Sequence, residues 1–178
     1  MRPQYWDQAA IEAVLDLAPP PHIEKSFWAS TDLWTSEQIL RRQTDRSLRM
    51  FRERARDEEL REPILQIGRT AACMLQAKDM WDSHEQWELL RRKQNDYGHK
   101  NIVNGGLPGV ALRQADKVER YFNLKDRPDE AANEPLTDAL LDMVGYAVIA
   151  AMLTTTLRGY ACDAGDPDSR FLLELEPI

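Results

Sequence analysis

Apolar residues recur along this chain at helical spacing, and no segment alternates as a half-buried strand would. Tyr5, Ile11, Val14 and Leu15 fall near one face of Gln4–Leu17, and Pro19-Pro-Pro21 ends that first helix. Phe27, Trp28 and Trp34 follow with weak periodicity, as aromatics that pin an extended arm either to its own core or to a partner subunit. Thr35-Ser36-Glu37-Gln38 supplies a capping residue for a long helix running to about Glu59. Its thin stripe of Ile39, Leu40, Leu48 and Phe51 lies among arginines of a solvated face. Pro63 suits the first turn of the next helix, whose Ile64, Leu65, Ile67, Ala71, Ala72, Met74 and Leu75 form a broad buried face. Asp82-Ser83 either breaks and re-caps the chain before Glu85–Gln94 or lies within one continuous helix. A polar turn, Lys93–Gly98, and a glycine-rich loop, Asn104–Gly109, precede a charged helix from about Pro108 to Leu124. After a polar connector, Asp126–Asn133, Pro135 opens the last long helix, which Arg158-Gly159 stops. The expectation is an all-α, bundle-like fold of about five helices. It divides into an N-terminal helical arm (1–60), a helical core (61–160) and a loosely docked tail (161–178).

Composition narrows the partners. The 178 residues suit one domain with an arm, and 43% hydrophobic with 30% charged residues is ordinary for a globular protein. A net charge of −7 argues against general nucleic-acid binding and against an anionic membrane surface. A small anionic ligand therefore needs a local cluster of Lys and Arg, or a divalent cation, to be held against that field. Cys73 and Cys162 have no metal-ligand spacing and read as reduced thiols. The first residues contain no long apolar run, so no signal peptide is expected. The most apolar stretch, Ala139–Leu157, is interrupted by Asp142 and Gly145, which makes it a buried helix rather than a membrane span. A soluble, cytoplasmic protein is expected.

Candidate chemistry concentrates between Glu85 and Tyr146. On the last helix Glu134, Asp138, Asp142 and Tyr146 recur every fourth residue and so stack on one face. Like charges at that spacing repel by roughly a few tenths of a kcal/mol on a surface helix, and by more beside apolar neighbours. A compensating cation such as Mg²⁺ would relieve them; pairing with arginines is the alternative. The preceding helix carries both signs on one face, in Arg113, Asp116, Lys117 and Arg120. Packed antiparallel, it would bring Asp116 to Asp138 and Asp142 at a metal and turn Lys117 and Arg120 toward phosphates. The plainer outcome of the same pairing is arginines neutralising aspartates across a helix interface. Glu85 and Glu88, one turn apart, offer a further acidic pair. In the turn, Tyr97 and His99 could stack on a base while Lys93, Lys100 and Asn101 hold phosphates. Gly105, Gly106 and Gly109 leave backbone N–H groups able to approach an anion, without the Lys-Ser/Thr of a Walker loop.

Three ordered blocks carry a resemblance: Lys93-x-Asn-Asp-Tyr-Gly98, Arg113-x-x-Asp-Lys-x-x-Arg120, and Glu134-x-x-x-Asp138-x-x-x-Asp142-x-x-x-Tyr146. Over about Glu85–Met152 the chain resembles the helical nucleotide-modification-associated domain common in bacteriophage genomes. That domain is in turn similar to the MazG-like all-α nucleoside triphosphate pyrophosphohydrolases. The resemblance implies a nucleotide partner, NTP or dNTP, an Mg²⁺ cofactor, a homo-oligomer, and the host cytoplasm if the protein is phage-encoded. It assigns Asp116, Asp138 and Asp142 to the metal, and Glu85 and Glu88 to a further ligand or the base that orients water. Lys93, Asp96, Tyr97, Lys100, Asn101, Arg113, Lys117 and Arg120 fall to the substrate. The MazG-like pattern pairs Glu-x-x-Glu with a later Glu-x-x-Asp; here the later acids, Asp138 and Asp142, stand four apart. The first expectation is an Mg²⁺-dependent pyrophosphohydrolase that cleaves a (deoxy)nucleoside triphosphate between its α and β phosphates; a nucleotide binder without catalysis and a structural oligomerisation module compete with it.

Overall fold

The computed structural model describes residues 33–97, 105–128, 135–154, 160–162 and 171–173. The expected Gln4–Leu17 helix, the Phe27-Trp28 arm, Gly98–Asn104, most of the polar connector with Glu134, and most of the tail lie outside the described residues. Five helices carry the fold: α1 Leu33–Arg52, α2 Asp57–Gln76, α3 Ser83–Tyr97, α4 Gly106–Leu124 and α5 Leu136–Thr154. The all-α bundle expected from periodicity is what forms. Two three-residue strands, Tyr160–Cys162 and Phe171–Leu173, pair antiparallel as a short ribbon; runs that brief are too short to show strand alternation in a sequence.

Helices α1, α2, α5 and α4 follow one another around a ring, and α3 lies outside it against α5. Shared core residues fix their directions. Leu60, Ile64 and Leu65 of α2 meet Leu107, Val110 and Ala111 of α4 and Ala147–Ala151 of α5. Ile67, Ala71 and Leu75 of α2 meet Val118 and Tyr121 of α4 and Ala139–Val144 of α5. Thus α5 runs antiparallel to both α2 and α4. Leu40 joins the second group while Met50 and Phe51 pack on the first, so α1 is antiparallel to α2. Helix α1, expected in an arm, is therefore part of the bundle. Helix α5 is apolar nearly all round, as a helix enclosed on several sides must be. Among the described residues no helix is long and apolar enough to cross a membrane.

Local signals explain most boundaries and several departures. Helix α1 stops at Arg52, short of the expected Glu59, because Arg54 adopts φ 54° and the Ala55 N–H closes onto Met50 O. No glycine advertises that stop. Helix α2 then starts at Asp57, and the Glu59 carboxylate accepts the Arg56 backbone N–H at 3.0 Å. Pro63 consequently sits inside α2 rather than in its first turn. At Asp82 the chain breaks and re-caps: Asp82 Oδ1 accepts the Glu85 N–H at 3.1 Å and α3 begins. Residues Lys93–Tyr97, expected in a turn, form the last part of α3.

Small residues let α5 be approached closely. A Cβ at Gly68 would overlap the Ala147 methyl, so α2 and α5 cross there nearly backbone to backbone. At Gly145 a Cβ would stand 2.9 Å from Leu90 Cδ2, and this is where α3 lies across α5.

Candidate functional site

Asp142 sits midway along apolar α5, and its side chain is only 11% exposed. Burying an ionised carboxylate that far requires cationic or hydrogen-bonding partners. Two lysines from two other helices supply them. Lys93 Nζ, from α3, donates to Asp142 Oδ1. Lys117 Nζ, from α4, pairs with Asp142 Oδ2 at 2.6 Å. Both arrivals follow from helix geometry: Gln86, Leu90 and Lys93 form one stripe of α3 facing α5, while Gln114, Lys117 and Val118 line the side of α4 that packs on it.

Tyr146, one turn beyond Asp142, belongs to the same cluster. Burial raises its phenol pKa above the ordinary 10.0, and the negative charge of Asp142 adds to the rise. Lys117 and Arg113 oppose that effect, and Asp116 contributes weakly in its favour. Asp142, Lys117, Arg113 and Asp116 thus act on the phenol, and Lys93 joins them through Asp142; Glu134 lies outside the described residues. Lys93, Lys117 and Arg113 set three cations against Asp142 and Asp116 in a chain whose net charge is −7.

The remaining expected residues are distributed as follows. Asp116 is exposed, and Asp138, Arg113 and Arg120 are half-buried. Glu85 and Asp96 are exposed, and Glu88 is half-buried. The backbone of Tyr97 ends α3. His99, Lys100 and Asn101 lie outside the described residues. In the glycine-rich segment Gly106 has φ +51° at the first residue of α4, where a side chain would be strained. The Gly109 N–H is taken by Gly105 O at 2.9 Å.

The charge distribution decides how well Mg²⁺ fits. Each oxygen of Asp142 carries an ammonium. Among the described residues no three of His, Cys, Asp and Glu come close enough to hold one ion, and Asp116, Asp138 and Asp142 are no exception. A hard divalent cation seeks carboxylate and water oxygens in an electronegative setting. To reach Asp142 in this arrangement it would have to displace two lysines. Among the described residues, then, Asp142 is held by lysines and not grouped with other acids as a divalent-metal site would be.

Periodicity and motif did not single out two glutamines beside this cluster. Gln86 of α3 and Gln114 of α4 are 2% and 0% exposed. Gln86 Nε2 donates to Leu141 O at 3.0 Å. Gln114 Nε2 donates to Met143 O at 2.9 Å and to Ile64 O at 3.1 Å. The available signal was a polar residue on the otherwise apolar stripe Val110, Ala111, Ala115 and Val118.

A second buried carboxylate, Glu37 of α1, is equally well served. Tyr121 Oη donates to its Oε1 at 3.2 Å and Lys125 Nζ to its Oε2 at 2.9 Å. Beside it the Arg41 guanidinium covers the Phe122 ring at 3.9 Å. These contacts tie the start of α1 to the end of α4 and match the charges within the cluster. No family model, no curated protein and no solved structure matches the chain.

Proposed function

We propose that the chain binds a nucleoside or deoxynucleoside triphosphate, holding its phosphates on Lys93 and Lys117 where these meet Asp142. The observation that carries this reading is the convergence of two ammoniums from α3 and α4 on one largely buried carboxylate of α5. An ammonium has three N–H donors, so it can serve a carboxylate and a phosphate oxygen together. Asp142 keeps both lysines extended toward one point and offsets their mutual repulsion before a ligand arrives. Arg113 adds a planar guanidinium suited to phosphate oxygens. Tyr146, its pKa raised, stays a neutral phenol at pH 7 and so adds no negative charge against the ligand. Non-catalytic binding or sequestration needs no more than this.

The test is a nucleotide panel read for thermal stabilisation and for ligand integrity, in EDTA and again in Mg²⁺. The reading predicts stabilisation in EDTA with the ligand recovered intact. It also predicts that Lys117→Met weakens binding by roughly 10–100-fold, the worth of a hydrogen bond to a charged group at about 1.5–3 kcal/mol. Pyrophosphate release in Mg²⁺ that Asp142→Asn abolishes would favour the metal-dependent pyrophosphohydrolase instead. No response to any nucleotide would leave a structural helical module.

A further inference from the structure

Buried amides that satisfy only one end are costly, and two of them flank Asp142. Gln86 Oε1 and Gln114 Oε1 are both enclosed without a hydrogen-bond partner. Their Nε2 groups donate to Leu141 O and Met143 O, the carbonyls immediately before and after Asp142 in the chain. Those carbonyls belong to α5 and so have acceptor roles within the helix already. The glutamines therefore do not rescue orphaned backbone groups. An apolar side chain of the same length would bury as well and leave no unpartnered oxygen. What an apolar side chain lacks is direction: a hydrogen bond depends steeply on distance and angle, and so sets the position of one helix along the axis of another.

Position explains why direction is needed at these two sites. Gln86 lies two turns before Lys93 on the same face of α3, and Gln114 lies one turn before Lys117 on α4. Each glutamine thus registers a lysine-bearing helix on the acid-bearing helix next to the acid itself. Gln114 does so twice over, because its Nε2 also reaches Ile64 O on α2, close to the crossing at Gly68 and Ala147. Resting on the nucleotide reading above, we infer that Gln86 and Gln114 are positioning residues. Gln86 sets Lys93, and Gln114 sets Lys117, on Asp142 for phosphate binding.

The test uses the full chain with Gln86→Met and Gln114→Met, which keep side-chain length and remove the amide. Nitrogen-15 spectra of the lysine ammonium groups are assigned through Lys93→Met and Lys117→Met. Gln86→Met should shift or broaden the Lys93 ammonium signal and spare that of Lys117; Gln114→Met should do the reverse. Each should weaken triphosphate binding about tenfold, as a misplaced charged donor does, while the thermal midpoint stays near that of the parent. Should a Met variant fold poorly, Gln→Asn keeps an amide too short to reach the carbonyl and gives the same comparison. Unchanged ammonium signals, or equal effects on both lysines from either variant, would overturn the inference. If the parent binds no nucleotide, the proposed function fails, and the ammonium spectra still decide the role of the glutamines.

Discussion

Asp142 shows how one residue recruits its surroundings. A carboxylate on an apolar helix is tolerated because Lys93 and Lys117 reach it from two directions. Burial acts on neutral groups too. It pushes the Cys73 thiol from its ordinary 9.0 to about 12, with a smaller opposing effect from a backbone hydrogen bond. It also raises Tyr121, whose phenol donates to Glu37, far above its ordinary range. For Cys73 the folded chain holds its proton more tightly than the unfolded chain. That contribution to stability is complete below pH 9 and is lost as pH rises from about 9 to 12, because the unfolded chain ionises first. One such group costs up to about 1.4 kcal/mol per pH unit within that window. Denaturant unfolding measured from pH 8 to 12 should show stability falling, and less steeply in Cys73→Ala. Equal slopes in the two proteins would contradict the assignment. The same burial makes Cys73 a poor nucleophile.

At the level of elements, glycine separates space that is needed from space that is not. Gly68→Ala should destabilise by roughly 1–3 kcal/mol despite alanine's better helix propensity, because the new methyl meets the Ala147 methyl and the Met143 carbonyl of α5. Gly109→Ala, inside α4 with nothing within 4 Å of the added Cβ, should instead stabilise by about 0.5–1 kcal/mol. Unfolding curves of the two variants check both signs; a gain at Gly68 or a loss at Gly109 would refute this account of the packing. Helix identities were legible because Ile64, Leu65, Ile67, Ala71, Met74 and Leu75 repeat at helical spacing and are buried. Boundaries were less so. Left-handed Arg54 and Asp79 close helix ends without glycine, and Pro63 lies within α2, so the residues that usually punctuate a chain misplace two ends. The run after Lys93 looked like a turn from its Asn and Asp, yet α3 continues through it to Tyr97.

For the whole molecule, the sign of the local charge matters more than the net charge of −7. The motifs that contain Lys93, Arg113, Lys117, Asp142 and Tyr146 were visible in the sequence, and helical spacing put Asp142 and Tyr146 on one face; that Lys93 and Lys117 meet on Asp142 was not. Spacing places carboxylates and amines on neighbouring faces, but only the crossing of α3 over α5 at Gly145 and the antiparallel fit of α4 on α5 decide that lysines take both oxygens of Asp142. Gln86 and Gln114 escaped notice for the same reason, since their acceptors are backbone carbonyls of another helix. Whether those lysines serve a ligand is most directly tested by a crystal structure grown with a slowly hydrolysed nucleoside triphosphate in the presence of EDTA. The account predicts phosphate oxygens within hydrogen-bond reach of Lys93 Nζ and Lys117 Nζ, beside an Asp142 still in contact with at least one of them. Phosphates bound elsewhere, or a fully loaded crystal in which both lysines touch only Asp142, would contradict it.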